Sequence, residues 1–79
     1  MEFRQMRYFL VVAEEMHFHR AAEGLHVSQP SLSQQIKHLQ EELGISLFER
    51  TYRKVCLTSA GARFLKKTRQ VLRCVEEAI

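Results

Sequence analysis

Phe18 to Arg50 reads FHRAAEGLHVSQPSLSQQIKHLQEELGISLFER. Within it Phe18, Ala21, Ala22 and Leu25 recur at helical spacing, and the Ala-Ala pair is small enough for a partner helix to approach closely. After a hinge from Leu25 to Ser28, residues Leu32, Ile36, Leu39 and Leu43 repeat in steps of four, three and four. At about 100° per residue these four share one narrow arc, whereas Pro30, Ser33, Gln34 and Lys37 fall on roughly the opposite side. That polar side carries no acid before Glu41. Two amphipathic helices, the second with an outward face of amide, hydroxyl and ammonium groups, form the outline of a helix-turn-helix over about residues 18–37. In such a face Gln can pair with adenine edges, and Lys or Ser can reach bases or phosphates of duplex DNA.

The ends of the second helix carry their own signals. Ser28 is the natural N-cap, and Gln29 and Pro30 sit in the first turn, where backbone N–H groups lack intrahelical partners. Because Pro30 has no N–H, the Ser28 hydroxyl is expected to accept from Ser31. Gly44 is the expected left-handed stop, with Ile45 folding back onto the last turn. The helix then runs from about Gln29 to Leu43.

Outward from this core, Phe3 to Met16 reads as a first helix with Phe3, Met6, Leu10 and Ala13 on one face and Phe9 and Met16 flanking it. Leu47 and Phe48 are placed to anchor the chain after Gly44. Glu49 to Leu57 reads as two short strands turning around Thr51 to Lys54, with Val55 and Leu57 inward and Cys56 outward, a wing. Thr58 or Ser59 caps a last helix in which Gly61, Leu65, Thr68, Leu72, Val75 and Ile79 repeat at four and three, widened by Phe64, Val71 and Ala78. The fold expected is mainly α: a winged helix-turn-helix, three helices and a two-stranded wing over residues 1–58, then a long linker helix over 59–79. That helix meets no stop signal and reads as continuing past Ile79. Its wide apolar seam, Phe64, Leu65, Thr68, Val71, Leu72 and Val75, needs a partner, and the same helix of a second copy is expected to supply it.

With 79 residues the chain makes one small domain whose core is marginal without such an addition. No apolar run reaches the length of a membrane span or signal sequence, so a cytoplasmic location is expected. The net charge of +3 hides an asymmetry: residues 1–49 hold four Lys/Arg against seven Glu, and residues 50–79 hold eight against two. Between Arg50 and Arg73 there is no acid, which suits a phosphate footprint beside the second helix of the motif.

Other chemistries lack their residues. Four histidines, His17, His19, His26 and His38, have no Cys or carboxylate at ligand spacing, so no metal and no cofactor is expected. Cys56 and Cys74 lie in different elements, as unpaired thiols of a reducing compartment would. Ser28, Ser31 and Ser33 near His26 and His38 read as a cap and groove-facing hydroxyls rather than nucleophile and base, which excludes an enzyme. A winged-helix module for protein association remains as an alternative, but its groove face would be apolar.

The order RYF, FHRAAEGLHVSQPSLSQQIKHLQEELGISLFER and TYRKVCLTSAG resembles, over essentially the whole chain, the DNA-binding domain and linker helix of LysR-type bacterial transcriptional regulators. A winged-helix regulator of another family is the runner-up. The resemblance implies a winged helix-turn-helix, homodimerisation through the linker helix, and a tetramer when a C-terminal effector-binding domain is present. A small-molecule effector would bind only in that domain, which is absent from this sequence. The opening MEFRQMRYF is also similar to members controlling aromatic-compound catabolism.

Carried over residue by residue, the resemblance puts Gln29, Pro30, Ser33 and Gln34 against base edges in the major groove, and Arg53, with Lys54 beside it, at the wing's minor-groove contact. Ser31, Lys37, Arg50, Thr51 and Lys54 would lie near phosphates. The start of the first motif helix departs from the family's Ser, Thr or Asn: His17 and His19 stand there, expected to be poorer caps, with His19 and Arg20 as a charged substitute for the missing phosphate-binding hydroxyl. Gln40 replaces a commoner Glu, a change expected to matter little.

Overall fold

The computed structural model describes residues 1–51 and 54–79. Its order is α1 (Phe3–Glu15), α2 (Phe18–Leu25), α3 (Gln29–Leu43), β1 (Phe48–Thr51), β2 (Lys54–Leu57) and α4 (Ser59–Ala78). The strands pair antiparallel, Phe48 opposite Leu57 and Thr51 opposite Lys54. This is the winged helix-turn-helix expected.

Local chemistry sets most boundaries. The Ser28 hydroxyl accepts from Ser31 N–H at 3.2 Å, and Gly44 stops α3 at φ 70°. The Gly44 and Ile45 N–H groups both donate to the Gln40 carbonyl, at 2.8 and 3.2 Å, satisfying an end carbonyl of the helix. Only the backbone of Ile45 folds back; its side chain stays exposed. Thr58 Oγ1 accepts from Gly61 N–H at 2.9 Å and so caps α4. At α2 the residue expected to be a poorer cap does cap the helix: His17 Nδ1 accepts from Arg20 N–H at 3.2 Å, an imidazole nitrogen in the place of a hydroxyl.

The core joins α1, α2, α3 and Leu47. Leu32, Ile36 and Leu39 are buried as their spacing requires, and Ala21 and Ala22 are buried in α2. On α1 the inward face is Met6, Phe9, Val12 and Ala13, rotated from the expected stripe, while Phe3 is 58% exposed and Leu10 half-buried. Phe9 wins the central place because two aromatic rings converge on it, Phe48 at 5.4 Å and Phe64 at 5.1 Å between centroids. Such pairs add to the area each ring buries.

Helix α4 lies along α1 rather than standing apart from the body of the fold. The expectation that its seam lacks a partner within one chain is therefore corrected. Thr68 and Leu72 are buried inside the single chain, at 0% and 6% exposure, and Phe64 and Leu65 are half-buried against the core. Of the seam residues, Val71 is the one left exposed, with Val75 half-buried.

The wing is tied to α3 by a residue whose importance the sequence did not reveal. Gln40 Oε1 accepts from the N–H groups of both Leu47 and Phe48, at 2.8 and 3.3 Å. A Glu carboxylate could accept the same two bonds, which is the basis for expecting little difference between the two residues here. Gln40→Ala leaves two partly buried donors without an acceptor and should cost about 1 to 2 kcal/mol. Gln40→Glu should stay close to the wild type, and urea denaturation of the two variants checks this contrast.

Candidate nucleic-acid interface

Because Leu32, Ile36 and Leu39 hold α3 against the core, its opposite side must face outward. Pro30, Ser31, Gln34 and Lys37 are exposed there, with Ser33 half-buried among them. The Gln29 amide donates to Ser33 Oγ at 3.0 Å, one turn on. That bond pre-orients Gln29 and leaves its carbonyl oxygen and the Ser33 hydroxyl proton for an incoming partner. Gln34, further out, keeps both donor and acceptor of its amide on an exposed surface.

Beside the start of α3 lies a cleft of about 210 Å³, lined by Met16, His17, Phe18, His19, Gln29, Arg50, Lys54 and Val55. It brings together residues that the sequence placed in separate elements: a base-reading candidate, Gln29, and the phosphate candidates His19, Arg50 and Lys54. The Arg50 guanidinium sits 4.3 Å over the Phe18 ring, which fixes its direction while leaving its donors available. Phe18 in turn packs edge-on to Phe48 at 5.9 Å. The sequence marked Phe18 only as core; its second role as a platform for Arg50 depends on strand register that helical periodicity does not report.

Among the described residues, side-chain ion pairs join Arg4 to Glu2 and Arg69 to Glu14, and His19 Nε2 lies 3.3 Å from Glu23 Oε1. Lys37, Arg50 and Lys54 take part in none of these pairs, so their charge is available to an anion. Arg20 is exposed beside His19. The expectations for Arg53 and for the Thr51 side chain fall outside the described residues. No group of three or more His, Cys or Glu among the described residues could hold a metal ion. No helix described is long and apolar enough to cross a membrane.

Met1, Glu2, Phe3, Met6 and Val71 line a largely apolar groove of about 450 Å³ between the start of α1 and the middle of α4.

Comparison with known proteins places this geometry. Residues 3–62 match the family described as bacterial regulatory helix-turn-helix protein, lysR family. The HTH-type transcriptional regulator ClcR of Pseudomonas putida is 53% identical over 76 residues, covering 96% of this chain and 26% of its own length. The CbnR DBD–DNA complex aligns with a TM-score of 0.94 at 44% identity, covering 99% of this chain and 90% of that one. The BenM DBD complexed with catB site 1 DNA aligns at 0.95 and 45% identity, covering 99% and 84%. The chain spans about a quarter of the length of the curated relatives it matches, and those relatives are transcriptional regulators, not enzymes. With an outward polar face on α3, a cationic cleft at its start, a wing, and close likeness to domains solved on DNA, the chain belongs to the LysR family of bacterial regulatory helix-turn-helix proteins.

Proposed function

We propose that this chain reads a specific duplex sequence as a homodimer, with α3 in the major groove and the wing, through Arg53 and Lys54, at the flanking minor groove. The observation that carries it is the outward face of α3, where Gln34, Ser33 and Lys37 stand clear of the core beside Arg50 and Lys54, cations that enter no ion pair among the described residues. Base edges are read by amides and hydroxyls, whereas the cations fix register on the backbone. Residues 1–58 would carry the reading and residues 59–79 the pairing. An apolar or acidic α3 face would have favoured protein association instead.

Pairing of two copies is supported by the groove beside Val71, where Phe3 and Val71 expose apolar surface that a soluble monomer would gain by covering. A two-fold pair presents two α3 helices to an inverted repeat. In a full-length protein of this family, a small-molecule effector and a tetrameric assembly would belong to the part outside this chain. The Met1–Phe9 opening favours aromatic-compound catabolism as the class of genes controlled.

Gln34→Ala tests base reading. It should weaken binding to the selected operator by about 1 to 3 kcal/mol and leave binding to random duplex nearly unchanged, because one amide is lost from base edges and no charge from the backbone. Equal losses on both duplexes, measured by anisotropy at one salt concentration, would remove Gln34 from the reading face.

A further inference from the structure

The cleft at the start of α3 holds two imidazoles beside two permanent cations, a combination that the reading of DNA alone does not require. The groups facing His19 are Glu23 on its own helix, His17 with its ring centroid 6.3 Å away, Arg50 from β1 and Lys54 from β2, with neutral Gln29 from α3. His19 Nε2 lies 3.3 Å from Glu23 Oε1, a donor position, which leaves Nδ1 as the atom that can take up a proton. His17 is constrained differently. Its Nδ1 already accepts from Arg20 N–H, so protonation there would break the cap of α2.

We propose that this cleft takes a backbone phosphodiester of DNA together with one proton, and that His19 Nδ1 receives it. The inference rests on the DNA-reading function proposed above. With His19 neutral, the Glu23 carboxylate stands as an uncompensated negative charge next to the arriving phosphate. With His19 protonated, the pair is neutral and a donor is added to the positive field of Arg50 and Lys54. The phosphate therefore binds the protonated form more tightly, and by linkage its binding draws the proton in. Imidazole is the side chain whose charge changes in the range where this matters, whereas Arg and Lys hold theirs throughout. Affinity for DNA should accordingly rise as pH falls.

The test is binding of this chain to a short mixed-sequence duplex at constant ionic strength, between about pH 6 and pH 8. Affinity should increase about three- to fivefold per chain toward the acid end, the size of one exposed ion pair. His19→Gln keeps an amide donor for Glu23 but cannot titrate, and should remove the pH dependence. Glu23→Gln should tighten binding across the range, because the carboxylate beside the phosphate is gone, and keep the slope, because His19 and the phosphate remain. His17→Ser, which supplies a non-titrating cap, should keep the slope. A flat wild-type curve, or a slope that survives His19→Gln or disappears with His17→Ser, would overturn the proposal while leaving DNA reading intact. Failure of the wild type to bind any duplex at low salt would sink the functional reading itself, and the proton site with it.

Discussion

Gly61→Ala should destabilise the domain by about 2 to 3 kcal/mol, lowering Tm by roughly 10 to 20 °C, although Ala is the better helix former. A Cβ at Gly61 would overlap the Leu47 carbonyl oxygen and lie 3.0 Å from the Leu47 carbonyl carbon. Nothing at that junction can easily yield. The Leu47 carbonyl accepts from Thr58 N–H at 3.1 Å, Leu47 N–H donates to Gln40, and Thr58 Oγ1 donates to the Ser46 carbonyl at 2.6 Å. The obstacle is backbone pinned from both sides, not the tip of a flexible side chain. Gly24, in α2, gives the opposite case: a Cβ there meets nothing within 4 Å. Gly24→Ala should stabilise by about 0.5 to 1 kcal/mol through helix propensity and the unfolded chain. Thermal melts of both variants, read together, check the argument. If Gly61→Ala melts above the wild type as well, α4 does not close on Leu47 as described.

Val71→Glu should abolish dimerisation and weaken binding to a two-site operator about a hundredfold or more, because the second half-site no longer contributes an intramolecular contact. Val71 is 37% exposed in the single chain, so a carboxylate there costs the monomer little. In a pair it would put an ionised group from each copy into an apolar contact with no partner to offset the desolvation. Leu72 could not serve for this experiment. It is 6% exposed within one chain, and a charge there would attack the packing of α4 on α1 before it reached any interface. Sedimentation shows whether Val71→Glu is monomeric, and a melt near that of the wild type shows that it remains folded. A folded Val71→Glu that is still dimeric would move the interface away from this face of α4.

What the sequence disclosed was whatever depends on near neighbours along the chain. Ser28 capping Ser31, Gly44 ending α3 and the stripe of Leu32, Ile36 and Leu39 follow from spacing and side-chain chemistry, and the structure has each of them. The outward position of Gln34 and Lys37 is fixed by the same geometry. Choices between similar residues were not legible. Phe3 and Phe9 are equally apolar on α1, and Phe9 is selected by rings that arrive from β1 and α4. Thr68 read as a seam residue facing a second copy because heptad spacing cannot say which side α1 will cover. Its hydroxyl is buried without a hydrogen-bond partner among the described residues, which nothing in the structure explains. That His17 caps α2 at all was not legible because residue preferences average over rotamers, whereas here one rotamer aims Nδ1 at Arg20 N–H. Gln40 and the Arg50–Phe18 contact each join segments whose proximity only the fold creates.

If α3 reads base sequence and two copies read it together, the bound duplexes must share a symmetric sequence. Selection of bound duplexes from a random pool, followed by sequencing, tests both at once. One inverted repeat should be enriched, its half-sites about one helical turn apart on the same face of the duplex. A pool that stays random after repeated rounds, despite measurable low-salt binding, would contradict it.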